Sequence, residues 1–303
     1  MIPSWILLAI FSAGLLGIYD AAKKSSVKDN AVPPVLMSAV CIGGGIWAML
    51  LLAQWLCPSS MFPSMLLVDQ LALKMHAAIL LKALIVGVSW TLAYFSLKTL
   101  PLSIAGPMRA MGPVWTIVLA TTLLGERPTT AQWLGIALVM FGFMAMSRVG
   151  RREGIDFRRD RGVLAMFVAT IVGACSGLYD KLLLQQMELS VPTVQAWFSI
   201  YLVLVISPLW LYWWMRDRER RPFRWRNSVI AIAVFLLAAD FVYFAALANP
   251  QALVSIVSPI RRLAAVVSFL IAAFFFGDKN IGPKSICVAF IAAGILVIGW
   301  GSQ

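Results

Sequence analysis

The sequence predicts an all-α membrane protein of ten transmembrane helices, arranged as two inverted five-helix repeats. Composition, span count and an internal repeat point to it. Of 303 residues, 61% are hydrophobic and 13% charged, against about 45–50% and about 25% in a soluble domain. With a mean hydropathy of +0.88, the apolar residues would not fit inside a water-soluble globule of this size. That composition excludes a soluble enzyme, a coiled coil, a collagen-like chain and a disordered chain.

The apolar residues fall at roughly 4–19, 34–57, 76–97, 103–124, 132–147, 163–184, 193–215, 228–247, 252–276 and 284–300. Each run approaches the ~20 residues that cross a bilayer as a helix. In lipid each backbone group must be satisfied within its own segment, so every span reads as a helix. The alternating pattern of an outer-membrane barrel is absent. The first span has no basic residue before it and does not read as a cleaved signal peptide. Residues 58–74 are amphipathic, charged only at Asp69 and Lys74, and are expected along the membrane interface. The fourth span carries Pro107 and a second breaking pair, Gly112-Pro113, which weaken its hydrogen-bond ladder.

The net charge is +12, and the segments 148–161 and 216–226 carry six Arg each. Topology explains them: basic loops stay in the cytoplasm, and neither sits in a nucleic-acid-binding module. The loops after spans 1, 3, 5, 7 and 9 hold eighteen Lys and Arg, including Lys23, Lys24, Lys28, Lys98, Lys279 and Lys284, against Lys74 and Arg127 opposite. The rule then places both termini outside the cytoplasm of a multi-pass plasma (inner) membrane protein.

The two halves, residues 1–148 and 162–303, repeat one another. Gly17-Ile-Tyr19-Asp20 recurs as Gly177-Leu-Tyr179-Asp180, Tyr94-Phe95 as Tyr243-Phe244, and Pro107-Met-Arg109 as Pro259-Ile-Arg261, at offsets of 160, 149 and 152. Gly125-Glu126 and Gly142 recur at 152 as Gly277-Asp278 and Gly294. Five helices per half is odd, so the second copy inserts upside down. Inverted repeats of this kind build many alternating-access carriers, with substrate near the midplane.

The ten spans, the Pro-bearing fourth span and the run Gly125-Glu126-Arg127-Pro128-Thr129, followed by Gln132 and Gly135, resemble the EamA-type members of the drug/metabolite transporter superfamily over nearly the whole chain. Gly277-Asp278-Lys279 is a looser second copy. The resemblance implies secondary transport of small metabolites through a central cavity lined by spans 1, 3, 4, 6, 8 and 9. Members are often drawn with both termini in the cytoplasm, the reverse of the charge count here.

A charge at a helix centre costs about 2.5–3.5 kcal/mol on insertion scales, so it needs a partner or a wet cavity. Lys82, Arg109, Asp180, Lys181, Asp240, Arg261 and Arg262 lie deep, with Asp20 and Lys98 nearer helix ends. Arg109 and Arg261 occupy equivalent repeat positions and are expected to face each other. Their planar guanidinium forks suit a carboxylate or phosphate. The other reading locks both to Asp180 and Asp240 as structure. Consecutive helical residues diverge by about 100°, so Arg262 is expected to face away from Arg261. Asp180, Asp240 and Asp20 are either fixed counter-ions or proton carriers. Tyr94, Tyr243 and Trp90 are expected to line the cavity and touch substrate.

The sequence therefore predicts a secondary transporter for a small anionic or zwitterionic metabolite, working by alternating access. A flippase for an anionic lipid or lipid-linked substrate is the alternative. The four Cys and the single His76 form no metal spacing, and no phosphate-binding glycine loop occurs. No cofactor, metal, catalytic residue or nucleic acid is expected. The expected partners are a small-molecule substrate and membrane lipid, with a homodimer left open.

Overall fold

A computed structural model describes residues 4–56, 63–124, 128–249, 252, 257 and 260–300. These form α1 (Ser4–Val27), α2 (Val32–Leu56), α3 (Leu73–Thr99), α4 (Leu102–Arg109), α5 (Gly112–Leu124), α6 (Thr130–Arg151), α7 (Arg161–Lys181), α8 (Val191–Arg216), α9 (Ser228–Ala248), α10 (Ala264–Phe275) and α11 (Ile281–Trp300). No strand occurs among the described residues. Eight helices are long and apolar enough to cross a membrane: α1, α2, α3, α6, α7, α8, α9 and α11. The protein is thus an all-helical, multi-pass membrane protein.

The fourth apolar span is two helices. α4 runs through Pro107 unbroken, and the break falls at Ala110-Met111, just before Gly112-Pro113. Pro113 has no N–H to give to the Arg109 carbonyl. The turn closes instead through the Met111 N–H to the Met108 carbonyl (3.2 Å) and the Val114 N–H to the Met111 carbonyl (3.0 Å). The second half of the repeat argument at this point, Pro259, lies outside the described residues, as do Gly125, Glu126 and Arg127. α7 does not continue to 184 as one α-helix. Beyond Lys181 it widens into a π turn, Leu182–Gln186, closed by the Met187 N–H on the Leu182 carbonyl at 2.9 Å.

The described part of the 58–74 segment, expected along the interface, is irregular up to Leu73, where α3 begins. It holds one short 3-10 turn, Ser64–Leu66. The Gln54 carboxamide clamps it, taking the Val68 N–H and donating to the Val68 carbonyl, both at 2.9 Å.

α1 packs on α9, α3 on α7, α2 on α8 and α6 on α11, with α10 against α1 and α4, and α7 against α4 and α5. The α6–α11 seam is built on glycine. A Cβ at Gly135 would come within 2.7 Å of the Gly294 carbonyl, and one at Gly294 within 2.7 Å of the Gly135 carbonyl. Small residues of this kind let helix backbones touch where lipid supplies no hydrophobic drive.

One end of the bundle gathers the basic loops. The Asn30 side chain donates to the Arg224 carbonyl (2.8 Å), the Lys98 ammonium to the Asn30 carbonyl (2.9 Å), and Arg226 to the Ser25 carbonyl. Lys24 caps the end of α3 through the Leu97 and Leu100 carbonyls, at 2.8 and 2.6 Å. Lys23, Lys24, Lys98 and Lys284, assigned to loops, lie in helices, and two of them are buried. α1 is two turns longer than its apolar run, so Lys23 lies within it at 2% exposure. Lys284 lies in the first turn of α11 with its side chain fully buried, paired with Glu153 at 2.8 Å and donating to the Ser103 hydroxyl at 2.9 Å.

Candidate functional site

A central cavity of about 130 Å³ is walled by α1, α3, α4, α7, α8, α9 and the helical residues just before α10. By the rule that one water needs about 10–15 Å³ of such space, it holds on the order of ten waters. Its charged lining is Lys23, Lys82, Arg109, Asp180, Asp240, Arg261 and Arg262.

Arg109 and Arg261 do border the same hollow. Each is also held by a carboxylate, though not in the expected combination. Arg109 pairs with Asp20, and Arg261 with Asp240. Asp180 belongs to Lys82 instead. Asp20 is not an interfacial residue: it is 3% exposed, sandwiched between Arg109 and Lys23, the latter at 3.0 Å one turn along α1. It stands behind the cavity wall, whereas Asp180 and Asp240 form part of it. Buried charges of this kind persist only when paired or hydrated.

The aromatic groups fix the cations from the other side. The Arg261 guanidinium lies 4.0 Å from the centroid of the Tyr243 ring. Lys82 Nζ sits between the Phe198 and Phe244 rings, at 4.7 and 4.5 Å. Lys23 Nζ faces Tyr19 at 4.2 Å and Tyr94 at 5.3 Å. Ring faces attract cations, most strongly where water is excluded. Tyr243 and Trp90 line the cavity as expected, Trp90 meeting Phe198 edge-on at 6.2 Å. Tyr94 does not. It is buried against Lys23 and borders a smaller apolar cleft of about 20 Å³ between α2, α3, α8 and α9.

Arg262 contradicts the expectation that it faces away. Both residues line the cavity, their long side chains reaching it in different directions. Arg261 turns to α9, while Arg262 lies over Gly112 at the start of α5, where a Cβ would come within 2.9 Å of its Cζ. The Lys181 side chain lies outside the described residues. Lys23, Lys284 and Glu153 were missed as buried charges. The i, i+3 spacing of Asp20 and Lys23 was a legible sign of a helical pair; Glu153 and Lys284, 131 positions apart, carry no such local sign.

The bundle holds a charged hollow, and its likeness to known proteins points to a membrane transporter, not an enzyme. Residues 3–148, just under half of the chain, match the EamA-like transporter family. Among curated proteins, it is similar to flippase subunits named "Probable 4-amino-4-deoxy-L-arabinose-phosphoundecaprenol flippase subunit ArnE". The relative from Yersinia pestis (strain Pestoides F) is 43% identical over 51 residues, 17% of this chain and 45% of its own length. That from Yersinia pseudotuberculosis serotype O:1b (strain IP 31758) is 41% identical over the same span. The alignment therefore spans less than half the length of these relatives. One solved crystal structure, described only as that of a protein, superposes with a TM-score of 0.63 at 19% identity, covering 97% of this chain and 96% of its own. It shares the fold.

Proposed function

We propose that the chain is a ten-span secondary transporter of two inverted repeats that carries a small anionic or zwitterionic metabolite by alternating access. The cavity lining carries the reading: five cationic side chains and two carboxylates line one hollow, with a third carboxylate, Asp20, behind its wall. Arg109 and Arg261 present forks suited to carboxylate or phosphate. Asp20, Asp180 and Asp240 hold those cations when cargo is absent, as counter-ions or proton carriers.

The helix contacts support the repeat. Counting α4 with α5 as one broken span, and α10 with residues 260–262 as another, gives five spans per half. Exchanging the halves converts the α1–α9 contact into α7–α3, and the α1–α10 contact into α7 with α4 and α5. The α2–α8 and α6–α11 contacts map onto themselves. Moving Lys23 and Lys284 into the interior leaves the charge bias of the loops intact. That bias puts the basic end in the cytoplasm of a plasma (inner) membrane and both termini opposite.

A flippase for an anionic lipid-linked substrate is the second reading, favoured by the names of the curated relatives. Thermal unfolding of the purified protein, screened against metabolite anions in detergent and anionic lipids in nanodiscs, separates the two. The expected result is stabilisation by a soluble anion that is lost in both Arg109→Ala and Arg261→Ala. Full stabilisation retained in both variants refutes the assignment, and stabilisation by lipid-linked anions alone selects the flippase.

A further inference from the structure

We infer that Arg262 is the primary anion receptor of the cavity and that the cargo carries two negative charges, as a phosphate monoester or a dicarboxylate does. This rests on the transporter reading above and adds the charge of the substrate to it. Lys82 and Arg261 each have a carboxylate of their own, and Arg109 and Lys23 share Asp20. The guanidinium of Arg262 has none: among the described residues it makes no ion pair and no hydrogen bond. It is flanked by the like charges of Arg109 and Arg261, which border the same hollow.

A guanidinium stays protonated under all physiological conditions, so its charge needs an anion or water. A second unmet demand sits next to it. Arg261 Nε is buried and has no acceptor among the described residues, although the terminal nitrogen of the same group is held by Asp240. Two donors at the seam between α5 and the helical residues before α10 thus lack acceptors among the described residues.

The formal charges set the expected charge of the cargo. Lys23, Lys82, Arg109, Arg261 and Arg262 face Asp20, Asp180 and Asp240. Two cations are in surplus, and a dianion leaves the occupied cavity neutral. A monoanion leaves one charge uncompensated, and a zwitterion leaves two. Gly112 positions the receptor. Having no side chain, it lets the guanidinium lie against the chain at the break between α4 and α5, and a methyl group there displaces it.

The test uses the full-length protein in detergent at pH 8, where a phosphate monoester is a dianion. Glycerol 3-phosphate, succinate, lactate and glycine are titrated by thermal shift and calorimetry, and undecaprenyl phosphate is presented in nanodiscs. The expected result is that the dianions bind at least about tenfold more tightly than lactate, as loss of a charge-assisted contact predicts. Arg262→Gln should abolish that preference, Arg262→Lys should keep part of it, and Gly112→Ala should weaken dianion binding while leaving the folded protein intact. Binding by undecaprenyl phosphate alone keeps the charge count and assigns it to a lipid-borne source. Lactate binding as tightly as succinate overturns the two-charge inference but leaves the anion transporter standing. An Arg262→Gln protein that still prefers dianions overturns the receptor assignment. Absence of any anion binding removes both the inference and the reading beneath it.

Discussion

Replacing Lys82 with Met isolates the Asp180 carboxylate. Lys82 is 2% exposed and is the cation paired with Asp180, whose side chain is 9% exposed. Removing one member of a buried pair costs about 3–5 kcal/mol, because the other is left charged in a poor solvent. Asp180 borders the cavity, where water takes up part of that charge, so the loss belongs near the lower end, about 3 kcal/mol. The reverse change, Asp180→Leu, leaves the ammonium between Phe198 and Phe244. Two ring faces retain about 1–2 kcal/mol of attraction, so this variant loses less. With both replaced, Lys82→Met/Asp180→Leu fills the space with apolar groups and is close to neutral. A double-mutant cycle by denaturant unfolding in micelles reads all three. The reasoning fails if the single variants are as stable as the parent, or if the double variant loses the sum of the two.

Two further outcomes follow from the packing. Gly135→Ala drives a methyl group into the Gly294 carbonyl of α11, and should destabilise the protein by about 1–3 kcal/mol, whereas Gly14→Ala, with nothing within 4 Å, should leave it unchanged within about 0.5 kcal/mol; comparative unfolding of the two variants checks this. Amine-reactive labelling of the folded protein followed by peptide mapping should modify the exposed Lys28 and Lys74 and spare the buried Lys23 and Lys284, and rapid labelling of either buried residue would contradict the placement.

The spans were legible because the bilayer leaves the backbone few choices: an apolar run of about 20 residues has to be a helix. The break in the fourth span was legible as well, since Gly112-Pro113 removes a donor at a known place. Which charge meets which was not. The repeat pairs Asp20 with Asp180 and Arg109 with Arg261 by position, so symmetry predicts equivalent partners. The structure pairs Asp20 with Arg109 but gives Asp180 to Lys82, a residue on α3 that the repeat argument does not reach. Arg262 was misjudged because the angle between Cα positions does not decide where a long, flexible arginine side chain ends: it borders the hollow while lying over Gly112. Lys284 was misjudged because its partners, Glu153 and Ser103, come from distant parts of the chain.

The glycine seam between α6 and α11 has a mechanical consequence. Ridges of side chains allow one helix to ride over another by small rotamer adjustments, but here carbonyl stands against Cα with no side chain to give way. Any sliding of these two helices first has to prise them apart and forfeit their contact. Under the alternating-access reading proposed above, this pair would stay together as a fulcrum, and the change of side would fall to the helices around it.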